Sequence, residues 1–275
     1  MPIEKYRHPI LFYILATLIP WLSWFVAGHI SHITPNNNFN MVAASILGIL
    51  GLASPMIIAL SILLPDKELR TDLLKRSFSF KKIKPIYILA TCFLMLISIL
   101  LAQAVSLLLG YSSDQFKLSG VFSFSAGIFP AWFILFMAPV LEELAWHTYG
   151  TDCLRKRFNL ISTSLMFAIY WAFWHFPLSF IKDYYQANLA ESGWIYSLNF
   201  AVSLIPYVLL MNWLYYKTDR NILIAIVFHI TAGFFNEIFL TNPDSKIIQT
   251  ILLLALTIFI VIKDRDFFFN REYSA

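Results

Sequence analysis

An all-α bundle of membrane-spanning helices is the fold class this sequence predicts, and three observations predict it. The 275 residues are 59% hydrophobic and only 13% charged, where a soluble domain of this length carries about 25% charged residues. The mean hydropathy is +0.69. Apolar runs of about 20 residues, the length that crosses a bilayer as a helix, recur along the whole chain. These features exclude a soluble enzyme. The absence of a Lys/Arg-rich aromatic surface argues against nucleic acid as a partner. Cys92 and Cys153 lie in or beside apolar runs, which fits reduced, packed thiols and offers no disulfide or CxxC metal pattern.

Eight segments qualify as spans: 10–30, 41–64, 85–110, 128–150, 159–181, 194–216, 221–240 and 247–262. The first follows Lys5 and Arg7 as a signal peptide would, but it is too long for a cleaved leader and is followed by further spans, so it reads as a retained helix. Clusters such as Thr34-Pro35-Asn36-Asn37-Asn38 and Thr241-Asn242-Pro243-Asp244 punctuate the spans. Between the second and third, Glu68 to Phe78 reads equally as an interfacial helix, with Leu69, Leu73 and Leu74 on one face and the cations elsewhere, or as a solvated basic loop. Pro20, Pro55, Pro139 and Pro206 fall inside spans as kink points. The last segment is the shortest. The chain reads as one transmembrane domain, 1–275, without repeats or linkers.

Lys and Arg fix the expected orientation. Seventeen of the 20 sit at one set of ends: Lys5, Arg7, Lys67, Arg70, Lys75, Arg76, Lys81, Lys82, Lys84, Arg155, Lys156, Arg157, Lys217, Arg220, Lys263, Arg265 and Arg271. Only Lys117, Lys182 and Lys246 sit at the other. Both termini are therefore expected in the cytoplasm, with the chain in a cytoplasmic membrane.

Three spans carry ionisable or amide groups that an apolar slab tolerates only for a reason. The fourth holds Glu142, Glu143 and His147, the fifth His175, and the seventh His229 and Asn236. At about 1.5 Å rise per residue these groups reach overlapping depths near mid-membrane, so they can share one cavity. Glu143 and His147, four apart, face the same way and suit an ion pair that anchors the helix. Glu142 points about 100° away from Glu143, which leaves it free to act as a base toward water. His175 can share that water or donate to a leaving amine. His229 and Asn236, seven apart, share a face and can polarise a carbonyl.

At these residues the chain resembles the CAAX-protease and bacteriocin-processing (CPBP, Abi-like) family of intramembrane proteases, whose pattern is EExxxR, then (F/W)xxxH, then HxxxN or HxxxD on three helices. Glu142 and Glu143 match the first motif, with Trp146 at a usual aromatic position. Trp171 and His175 match the second, with Pro177 following, and His229 matches the third. The match spans about 128–240. It departs at His147, which replaces the arginine, and at Gly233, which replaces the asparagine; Asn236 lies one turn further on.

The resemblance implies an intramembrane endopeptidase in a bacterial cytoplasmic membrane. Glu142 would activate water, His175 would be its partner, and His229 with a neighbouring amide would hold the oxyanion. The substrate would be a peptide, a lipidated C-terminus or a membrane-protein segment, with membrane lipids around it. The favoured mechanism requires no cofactor. If a metal such as Zn²⁺ takes part, as the family's metalloprotease label suggests, Glu142, His175 and His229 would be its ligands. Two other functions compete. One is a non-catalytic bacteriocin self-immunity or interaction protein on the same fold. The other is a proton-relaying transporter, which no pair of interrupted helices in matching halves supports.

Overall fold

The computed structural model describes residues 5–34, 37–78 and 83–271. Among the described residues there is no strand apart from two isolated bridges, and the chain is a helix bundle. The long apolar helices are α1 (Pro9–Ser31), α2 (Asn38–Leu63), α4 (Pro85–Leu107), α9 (Trp194–Lys217) and α11 (Pro243–Lys263). Short helices are α3 (Lys67–Phe78), α6 (Thr151–Arg155), α8 (Tyr185–Ser192) and α12 (Arg265–Phe269). The motif-bearing helices are α5 (Ala131–Ala145), α7 (Leu160–Trp174) and α10 (Ile222–Glu237).

The helix starts follow their local chemistry. Proline opens α1, α4 and α11, where its missing N–H costs nothing. Asn37, Asn159, Asn221 and Asn242 cap α2, α7, α10 and α11 with side-chain oxygens that accept backbone N–H groups. Asp66 does the same for α3, accepting from Leu69 and Glu68, and those two donors hold its carboxyl below its usual range.

Of the eight segments expected, five among the described residues form single helices long and apolar enough to cross a membrane, and a sixth results if Leu160–Phe180 and Tyr185–Ser192, bent by 84°, form one span. α10 has 16 residues and α5 has 15. Among the apolar segments, the three that carry the polar motifs are those interrupted or stopped short, by a π-turn after α5, by a bend after α7 and by the early end of α10. The reason is physical: a backbone that lines a cavity inside protein can stop short or turn, whereas a lipid-facing one cannot. The eighth segment, by contrast, is a full 21-residue helix that begins at Pro243.

α3 also departs from expectation. Leu69 and Leu73 are buried, but Leu74 is 57% exposed and Arg76 is buried. The inward face of α3 is thus partly ionic. Arg76 and Arg220 meet Asp72 and Asp152 in a sealed cluster with Tyr6, Tyr215 and Tyr216. Asp72 Oδ2 stands 2.9 Å from Arg76 Nε, within ion-pair distance though not aligned for an N–H bond.

Aromatic packing supplies the rest of the frame. Trp24, Trp146, Trp171, Trp174, Phe12 and Phe167 are fully buried. α1 and α2 approach so closely that a Cβ at Gly51 would collide with the Trp24 indole, whose N–H reaches Gly48 O at 3.0 Å.

Candidate active site

α5 runs unbroken through Pro139 to Ala145 and continues as a π-helical turn, Trp146–Gly150. π-turns inside α-helices occur frequently at functional sites. This one follows immediately on Glu142 and Glu143 and carries His147. Its freed carbonyls are satisfied from other elements. Arg76 donates to His147 O at 3.0 Å and to Thr148 O at 3.1 Å, and the Tyr215 hydroxyl donates to His147 O at 2.7 Å.

The two glutamates separate as their angular offset requires. Glu143 is fully buried and does not line the cavity. One of its oxygens pairs with His147 Nδ1 and the other, at 2.7 Å, with His229 Nδ1. The expected Glu143–His147 pair is present, and His229 joins it. The far nitrogen of His147 lies 2.8 Å from Asn212 Oδ1, and Asn212 Nδ2 donates to Ser164 Oγ at 2.9 Å. Both ring nitrogens of His147 thus face oxygens. His147 meets Glu143 on one side and a neutral amide on the other.

Glu142 turns instead into a cavity of about 440 Å³. One carboxylate oxygen accepts the Trp171 indole N–H at 2.9 Å. His175 caps the end of α7, and its Nδ1 lies 2.6 Å from Trp171 O. With that nitrogen donating to a carbonyl, the lone pair sits on Nε2. His229 lies on α10, edge-on to Trp171 with ring centroids 5.2 Å apart. Trp171 touches all three groups, and Glu142, His175 and His229 all line the cavity.

Gly233 and Asn236 line the same cavity. A Cβ on Gly233 would come within 3.2 Å of Leu135 Cδ1, so the position is tight as well as bare. Asn236 Nδ2 lies 3.2 Å from the Tyr185 hydroxyl and 3.3 Å from Glu237 Oε1, so both of its N–H groups have partners. Trp146 lies outside the cavity lining, packed against Phe12, Phe167 and Trp174.

Among the described residues no three His, Cys, Asp or Glu side chains gather as an ion's ligands.

Several contributors escaped the reading of the sequence. Asn212 sits inside the apolar sixth segment, and an amide in such a run was the available signal. Arg76 gave none, since a cation on an amphipathic loop helix ordinarily faces solvent.

Comparison with known proteins agrees with the motif reading. Residues 123–235 match the family described as type II CAAX prenyl endopeptidase, Rce1-like. Over 272 residues the chain is 32% identical to CAAX prenyl protease 2 of Methanococcus maripaludis, covering 98% of this chain and 99% of that protein.

Proposed function

This chain belongs to the CAAX prenyl protease family, and from that premise we propose that it is an intramembrane endopeptidase that cleaves a membrane-associated or lipidated peptide with a carboxylate-activated water. The observation that carries the reading is the meeting of Glu142, His175 and His229 around the Trp171 indole on one cavity wall.

Water held between the Glu142 carboxylate and Nε2 of His175 is oriented by two acceptors. Glu142 takes one proton as the water oxygen bonds to the scissile carbonyl carbon. The resulting oxyanion is received by His229 when its ring carries both protons, with Nδ1–H paired to Glu143 and Nε2–H turned to the substrate. Glu142 then returns the proton to the amide nitrogen, the C–N bond breaks, and a carboxylate and an amine leave. Asn236, with both N–H groups occupied, shapes the wall instead of holding the oxyanion. Zn²⁺ is not required by this scheme.

The test compares wild type, Glu142→Ala and His175→Ala in a host lacking other such proteases, with the membrane peptides read by mass spectrometry. The expected result is a set of fragments released by wild type and by neither substituted protein. Identical fragment sets from all three would return the chain to the non-catalytic immunity reading.

A further inference from the structure

Trp146 carries a buried donor that the scheme above does not use. The side chain is fully enclosed, and among the described residues its indole Nε1 meets no acceptor in hydrogen-bond geometry. An N–H shut away from water without a partner is a net cost to the fold, so its place asks for a reason. The rings of Phe12, Phe167, Tyr170 and Trp174 pack around it, with centroids 5.3 to 5.9 Å away. The acidic group within its reach is the Glu142 carboxylate, which the Trp171 indole also engages. Trp146 follows Glu142 by four residues, the spacing that sets two helical side chains on one face. Its backbone N–H is shared between Glu142 O and Glu143 O, where α5 passes into the π-turn. Glu142 and Trp171 line the cavity, whereas the Trp146 ring lies outside that lining.

We propose that Trp146 is a positioning residue for Glu142: its indole N–H holds the carboxylate from behind the cavity wall and, with the Trp171 N–H, forms a two-point clamp. A carboxylate held by one donor pivots about that bond. A second donor from another element fixes its plane as well, and with it the direction in which Glu142 faces water. Donors already in place need no reorganisation when the reaction occurs. Trp146 touches neither water nor substrate in this role and acts through Glu142 alone. The kinetic consequence rests on the protease reading above; the contact between Trp146 and Glu142 does not.

Two measurements on the full-length chain separate these points. In the first, wild type, Trp146→Phe, Trp171→Phe and the double variant are assayed in detergent with a farnesylated, internally quenched peptide. Trp146→Phe keeps an aromatic ring and removes the N–H. Its kcat is expected to fall about tenfold, because a misplaced catalytic group loses up to about a hundredfold, while KM stays at the wild-type value. Two donors serving one carboxylate are coupled, so the double variant is expected to lose less than the product of the single losses. Phe12→Leu is the packing control: it loosens the ring contact with Trp146 and removes no N–H. It is expected to lower the melting temperature and spare kcat. Wild-type kcat in folded Trp146→Phe overturns the proposal, as does a double-variant loss that reaches the product, or a kcat loss in Phe12→Leu that matches that of Trp146→Phe.

The second measurement reads the contact without any cleavage. The chain has eight tryptophans, and Glu142→Gln removes the charge that two of their indole N–H groups face. In proton–nitrogen correlation spectra of the full chain in micelles, two indole resonances are expected to move well clear of the rest. Movement of one alone overturns the proposal, and this result decides the matter if Trp146→Phe fails to fold. No cleavage by wild type counts against the protease reading, while the resonances still decide the contact.

Discussion

Trp171 concentrates the chemistry of the site in one N–H. Its indole nitrogen fixes one oxygen of Glu142 at 2.9 Å, and its ring seats both His175 and His229. Trp171→Phe keeps most of the ring and removes the donor. A hydrogen bond to a charged group contributes about 1.5–3 kcal/mol, so kcat/KM is expected to fall roughly ten- to a hundredfold, read in the peptide assay with the melting temperature as control. His147 gives a second residue-level expectation. The ring is fully buried between Glu143, Asn212 and Tyr215, so the family's longer arginine no longer fits without displacing Asn212. His147→Arg alone should cost about 1–3 kcal/mol through overpacking, seen as a lower melting temperature. A variant as stable as wild type would show that the pocket still accommodates the arginine. Asn212→Leu, which strips His147 of its second partner, should destabilise by about 1–3 kcal/mol.

At the scale of the element, the π-turn after α5 makes Arg76 a positioning residue. The guanidinium reaches two carbonyls of the turn from a helix some seventy residues earlier in the chain. Arg76→Met would free Thr148 O, leave His147 O to the Tyr215 hydroxyl, and leave Asp72 and Asp152 to share Arg220 as their cation. Breaking a buried pair in this way costs about 3–5 kcal/mol. In any variant population that remains folded, kcat is expected to fall more than KM rises, since substrate does not touch this end. The element scale also shows what was legible in the sequence. The long spans were readable from apolar length, and the three motif segments from charges that length alone could not explain. The π-turn, the 84° bend after α7 and the shortness of α10 were not, because each depends on partners supplied from distant helices. Within the site, the Glu143–His147 pair followed from helical spacing. The bridge from Glu143 to His229 crosses between helices and leaves no periodic trace.

The whole molecule is built with unequal ends. One is ionic, aromatic and sealed; the other holds the loops that surround the cavity. Local opening tracks burial and contact density. In nanodiscs, the amides of 122–129 and 181–186 are therefore expected to exchange with deuterium well before those of 146–152. Equal protection at the two ends would mean that the ionic cluster does not hold its end shut.

The sealed ionic end has a further consequence. Salt screens exposed charge pairs far more than buried ones. Raising ionic strength is therefore expected to loosen the surface pair of Lys5 with Glu68 while Asp72, Asp152 and Arg220 stay locked together.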